Sequence, residues 1–192
     1  MVGDHNLHPN VAIIAAGNLD TDKGVTHRIS TPLQSRLVHY ELEVSEDDWQ
    51  EWAAKNNIHF KVRGFLKFRG ELLHNFDPNH IDNTFACPRT HEFASKLMHR
   101  WDKLPEGTEK LSHGQLITLA GTLGEGVATE FNGFNEVYLD IPDISIFITR
   151  PMDAPIFDEL SKRYAICSMI SSRLARFTKT EIEPLMQYLA RI

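Results

Sequence analysis

Apolar side chains occupy every position of Val11-Ala12-Ile13-Ile14-Ala15-Ala16. A half-exposed strand would alternate between two faces, so an unbroken apolar run predicts a buried parallel strand, ending at Gly17-Asn18. The stretch that follows, up to Thr31, is polar and carries Asp20, Asp22, Lys23 and Gly24, the chemistry of a loop. Leu37 to Glu43 alternates instead, with Val38, Tyr40 and Leu42 on one face and His39, Glu41 and Glu43 on the other. That pattern predicts a second strand.

From Ser45 the period becomes helical. Ser45 and Asp48 stand at capping-box spacing, and Trp49, Trp52 and Ala53 share one face of the helix they open. A second helix is predicted from about His59 to His74, with Val62, Phe65, Leu66, Leu72 and Leu73 inward and Gly64 and Gly70 weakening it. Asn75 to Asn83 reads as a loop. Pro88 suits the first position of a third helix whose apolar side is Phe93, Leu97, Met98 and Trp101. Between Ser112 and Tyr138, apolar residues recur every three or four positions: Leu116, Ala120, Leu123, Val127, Phe131 and Phe134. Gly121, Gly124 and Gly126 interrupt this run, and Thr122 with Glu125 offers a second capping box, so two helices should meet there. Asp140 to Pro155 reads as a proline-rich connector in which Ile144 to Thr149 is a candidate extended piece. Closing helices are predicted around Phe157 to Phe177 and after Thr180. The last has Glu183 in its capping box and Ile182, Leu185, Met186 and Leu189 inward.

Two strands among about seven helices pose a physical problem. An all-apolar strand needs neighbours on both edges and cover on both faces, and a two-stranded sheet is marginal alone. The economical expectation is that the partner strands precede Met1 and that this chain is the back half of a larger α/β protein.

Composition narrows the field further. The chain of 192 residues is 42% hydrophobic and 24% charged, enough for a core and too apolar for a disordered segment. Its 20 Lys+Arg against 26 Asp+Glu leave a formal charge of −6, so nucleic acid is not expected as a partner. The segment Lys61, Arg63, Lys67 and Arg69 is basic, but at about 100° per residue its cations spread around a helix and form no stripe. No apolar run approaches the roughly 20 residues needed to cross a bilayer, and no signal-peptide layout opens the chain. A cytoplasmic protein without membrane partners is therefore expected. Cys87 and Cys167 stand alone and should be reduced. The nearest histidine pair, His5 and His8, lacks a third ligand at usable spacing, so no metal site is expected.

Ligands in open parallel sheets bind beyond the carboxyl ends of the strands, and Asn18 sits at such an end, where its amide could orient a water or contact a phosphate; Gly17-Asn18 equally suits an ordinary turn, since both residues tolerate the left-handed conformation. The segment Ile13-Ile14-Ala15-Ala16-Gly17-Asn18, then Thr31-Pro32-Leu33-Gln34-Ser35-Arg36-Leu37, then Cys87-Pro88-Arg89 opening a helix, resembles the second half of an AAA+ ATPase. Within that superfamily the chain is most similar to the MoxR-like group. Asp48-Trp49-Gln50-Glu51-Trp52-Ala53 and Leu123-Gly124-Glu125, with Glu130-Phe131, extend the likeness to about Tyr138.

The resemblance implies an α/β remnant of a P-loop NTPase core at 1–44, a helical lid at 45–138 and a helical C-terminal extension at 139–192, predominantly α overall. It assigns Asn18 to sensor 1, which helps align the attacking water, and Arg36 to the arginine finger that reaches a neighbouring subunit's nucleotide. Arg28, earlier in the same loop, stays open as the alternative trans-acting residue or a subunit contact. Arg89 matches the sensor 2 arginine at the start of a lid helix. A permanently charged, forked guanidinium suits both arginine roles, since charge spreads over phosphoryl oxygens during transfer. An arginine at a helix N-terminus also meets partial positive charge there, a conflict that a bound anion or a nearby carboxylate resolves.

The departure from the family bears on activity. Nothing matches GxxxxGK followed by Ser or Thr, and no apolar strand ends in an acidic pair that would hold magnesium. The complete protein is expected to use ATP and Mg2+, to self-associate into a ring and to remodel a protein client. This chain alone should neither bind nucleotide tightly nor hydrolyse it. A stand-alone helical adaptor or regulatory module without nucleotide binding is the competing expectation.

Overall fold

The structure, a computed structural model, describes residues 6–18, 29–77, 79, 83–104 and 110–192. The chain divides into a unit Met1–Glu41 and a unit Leu42–Ile192.

In the first unit the only described helix is α1, Thr31–Gln34. Pro32 suits its first turn, and the Ser35 hydroxyl donates back to the Pro32 carbonyl at 3.2 Å. Neither predicted strand forms. No β-strand exists among the described residues, and their one bridge joins Asn75 to Ala86. Ile14 is 92% exposed, and Val11 and Ile13 are exposed as well. The second predicted strand also stays open to solvent, with Val38, Tyr40 and Leu42 exposed. The physical reason is that a strand's backbone donors and acceptors need a paired edge, and neither segment finds one among the described residues. The chain is thus predominantly helical.

The second unit is built from helices whose starts are written locally. The Ser45 hydroxyl accepts from the Asp48 N–H at 3.2 Å and opens α2, Glu46–Lys55. Trp49 and Ala53 are buried, whereas Trp52, predicted inward, is 40% exposed. Helix α3 runs Phe60–Phe68 and gives way at Arg69 to a 3-10 turn, Gly70–Leu73, so the predicted single helix is broken. Its predicted core side chains, Val62, Phe65, Leu66, Leu72 and Leu73, are all buried.

Helix α4 runs Pro88–Trp101 and buries His91, Ala94, Ser95 and Met98; Phe93, predicted inward, is exposed. Helices α5, His113–Leu123, and α6, Glu125–Val137, meet at Gly124. The junction is a glycine with φ of +85°, not the predicted Thr122/Glu125 box. Thr122 lies inside α5, its hydroxyl donating to the Thr118 carbonyl at 2.7 Å.

Ile144–Thr149 forms a short helix, α7, instead of an extended piece. Asp143 accepts from the Ser145 N–H at 2.9 Å, and Ile144 and Phe147, one turn apart, are buried, so cap and burial outweigh the β-branched composition. Helix α8, Leu160–Arg173, ends in a 3-10 turn, Leu174–Arg176. Helix α9, Lys179–Leu189, starts earlier than predicted because Thr178 and Glu181 form the capping box. Leu185 is buried as predicted, but Met186 is exposed and Tyr188 takes the interior position.

Two apolar clusters hold this unit. The larger joins α2 to α6 with Ala165 of α8, and the smaller joins α7, α8 and α9 around Phe147, Ile166 and Tyr188. Helix α8 serves both. It packs along α3, where the Tyr138 hydroxyl meets Ser168 Oγ at 2.6 Å. No described helix is long and apolar enough to cross a membrane.

Candidate functional site

The predicted site residues fall in both units. Asn18 is exposed and belongs to no helix or strand. Arg36 lies just past the Ser35 C-cap of α1, its N–H donating to the Leu33 carbonyl at 3.1 Å. The His39 ring donates to the Gln34 carbonyl at 3.1 Å, closing the turn around Arg36. A shallow hollow of about 560 Å³ opens on this turn, lined by Thr31, Gln34, Ser35 and His39. Arg36 is exposed and forms no ion pair among the described residues. Arg28 lies outside the described residues.

Arg89 belongs to the second unit, at the second position of α4. The N-terminus that carries it is built with care. The Cys87 N–H donates to Thr90 Oγ1 at 2.8 Å, and the Thr90 hydroxyl faces the Cys87 carbonyl at 3.0 Å. Asn75 N–H donates to the Ala86 carbonyl at 2.8 Å, tying the chain before the helix to the end of the 3-10 turn. One turn into α4, the buried His91 ring donates to the Leu72 carbonyl at 2.9 Å and meets Trp49 edge-on. Arg89 itself is exposed, and no acidic residue occupies the first turn of α4. Among the described residues it has no carboxylate partner, so its charge adds to the positive end of the helix dipole uncompensated.

The basic run of α3 disperses. Lys61 Nζ donates to Asn135 at 2.8 Å, Lys67 pairs with Glu46 and Asp47, and Arg69 pairs with Glu71 and Glu130. Arg63 turns elsewhere, with its Nε buried.

A cluster that the sequence did not suggest lies at the other end of α4. His59, the N-cap of α3, accepts the Lys61 N–H on Nδ1 at 3.2 Å and faces the Asp102 carboxylate through Nε2 at 2.9 Å. His99 joins them from the last turn of α4, its ring centroid 4.8 Å from that of His59. Burial pushes the His59 pKa down to about 4, against the pull of Asp102. His99 and Asp102 are three residues apart on one helix face, and that spacing was the available sequence signal. His59 is brought to them only by the packing of α3 against α4.

Compared with known proteins, the chain matches no family model, no curated protein and no solved structure.

Proposed function

We propose that this chain is the C-terminal portion of a MoxR-like AAA+ ATPase, in which ATP hydrolysis at the subunit interfaces of a ring drives the remodelling of a protein partner. In this reading Asn18 orients the attacking water as sensor 1. Arg36 reaches the neighbouring subunit's nucleotide, and Arg89 contacts phosphate from the lid. ATP and Mg2+ would be held by Walker elements that this sequence lacks, so the chain alone is inactive.

The observation that carries the proposal is the state of the two arginines. Arg36 and Arg89 are both exposed, and neither has a carboxylate partner among the described residues. Arg89 moreover stands on a firmly capped helix N-terminus with no acid beside it. Such a guanidinium is poised for an anion. The exposed apolar run Val11 to Ala16 supports the same reading, since its side chains suit a strand that pairs with core strands outside this sequence.

The test is hydrolysis in the complete protein. Arg36→Ala should abolish turnover while nucleotide binding survives, and unchanged turnover would sink the assignment. If Arg28→Ala abolishes turnover instead, the trans-acting role passes to that residue.

The competing reading, a stand-alone helical adaptor, draws on the two apolar clusters that unit Leu42–Ile192 contains within itself. An in-frame Walker A and Walker B immediately upstream in the genomic DNA would decide for the ATPase.

A further inference from the structure

His59, His99 and Asp102 converge where the start of α3 meets the end of α4, and one ligand atom of each lies within 4.8 Å of the other two. The hydrogen bonds around them set the tautomer of each neutral ring. His59 Nδ1 accepts the Lys61 N–H, so the neutral ring carries its proton on Nε2, the atom that faces Asp102. His99 donates Nε2–H to the carbonyl of Asn57 at 2.9 Å, which leaves the lone pair on Nδ1. Asn57 sits in a left-handed turn with φ of +54°, between α2 and α3. A ring anchored through its far N–H on a backbone carbonyl is the arrangement by which metal-bound imidazoles are oriented.

We propose that His59, His99 and Asp102 bind a divalent transition-metal ion, Zn2+ by the chemistry of the donor set, and that the ion clamps the end of α4 to the start of α3. Two imidazoles and one carboxylate suit Zn2+, whereas Mg2+ and Ca2+ prefer all-oxygen shells. Metal bonds of about 2.0–2.2 Å require the His99 ring to close on the other two ligands. His99 is only partly buried and Asp102 is exposed, so both have room to adjust, and the open side leaves a fourth position to water.

Binding at His59 Nε2 has a definite proton consequence. The ion takes the lone pair of Nε2, the ring proton relocates to Nδ1, and no net proton is released from His59. The Lys61 N–H then loses its acceptor, so the first turn of α3 exchanges a capping bond for the metal bond.

The experiment uses the full chain freed of metal with a chelator. Zn2+ is titrated by calorimetry and Co2+ by visible absorption. One equivalent should bind, with the intense absorption of four-coordinate Co2+. His99→Ala and Asp102→Asn should each weaken Zn2+ binding on the order of tenfold or more. Joint replacement of His5 and His8 by alanine should leave it unchanged. Zn2+ should also raise the unfolding temperature of the parent chain and not that of Asp102→Asn. Absence of stoichiometric binding overturns the proposal. So does binding that persists at full strength in His99→Ala and Asp102→Asn, or that disappears with His5 and His8. Asp102 is exposed and its replacement spares the core, so the test holds even if His99→Ala fails to fold.

Discussion

The His91 ring donates its Nε2 proton to the carbonyl of Leu72, 2.9 Å away, while its Nδ1 is buried with no hydrogen-bond partner among the described residues. Protonating that second nitrogen would place an unpaired charge in the core, and burial accordingly lowers the pKa from 6.5 to about 4. The unfolded chain would accept the proton near pH 6.5. The stability from this group is therefore fully present above pH 6.5 and is lost as the pH falls toward 4, by about 3 kcal/mol in total. Denaturant unfolding at pH 7 and pH 4.5 should show the loss, and His91→Gln should reduce it. An identical pH dependence in His91→Gln would show that another group is responsible.

Gly64 lies where α3 crosses α8. A methyl group there would stand 2.6 Å from Ser168 Oγ and 2.9 Å from the Tyr138 hydroxyl, two groups bonded to each other. Gly64→Ala should therefore lower stability by about 1–3 kcal/mol, despite the better helix propensity of alanine. Further replacement of Ser168 by glycine should restore part of the loss. A midpoint of denaturation equal to the parent's would contradict the close approach of the two helices.

Two phenylalanines separate core from surface. Phe131 is fully buried and meets Phe65 edge-on with centroids 5.3 Å apart. Phe131→Ala should cost about 3–5 kcal/mol. Phe93 was predicted inward but is 45% exposed, so Phe93→Ala should cost well under half as much. Equal losses would place Phe93 in the interior after all.

Arg89→Ala provides a separation of function from stability. Arg89 is exposed and has no carboxylate partner among the described residues, so thermal unfolding of the variant should stay within about 0.5 kcal/mol of the parent. In the complete protein the same change should lower ATP hydrolysis. A large loss of stability with unchanged hydrolysis would recast Arg89 as a structural residue.

Nucleotide titration of this chain provides the complementary measurement. Lacking a Walker A lysine and its loop, it should bind ATP with no appreciable affinity. Tight binding would mean that the phosphate cradle is built from other residues and would overturn the proposed division of labour.

Helix starts were the most legible part of the fold. Ser45 with Asp48, Pro88 after Cys87, and the glycine junction between α5 and α6 are local devices. Each depends on residues within a turn of one another, so the sequence carries them whole. The core faces of α3 and α6 were legible for the same reason, because helical periodicity reports burial when one face is covered. Trp52, Phe93 and Met186 escaped that rule and stand exposed. Of the candidate site, the sequence placed Arg89 on a helix N-terminus, but the Ala86 bridge, the Thr90 box and the His91 anchor that hold this terminus emerged only from the structure.

By itself, then, the sequence determined most of the helical units, some of their caps and most of their buried faces, all properties of near neighbours along the chain. The tertiary structure decided what distant segments do for one another. Val11 to Ala16 has the composition of a buried strand yet stands exposed, because pairing belongs to a sheet and not to a segment. His59 meets His99 and Asp102 because α3 packs on α4, a juxtaposition that no local spacing encodes.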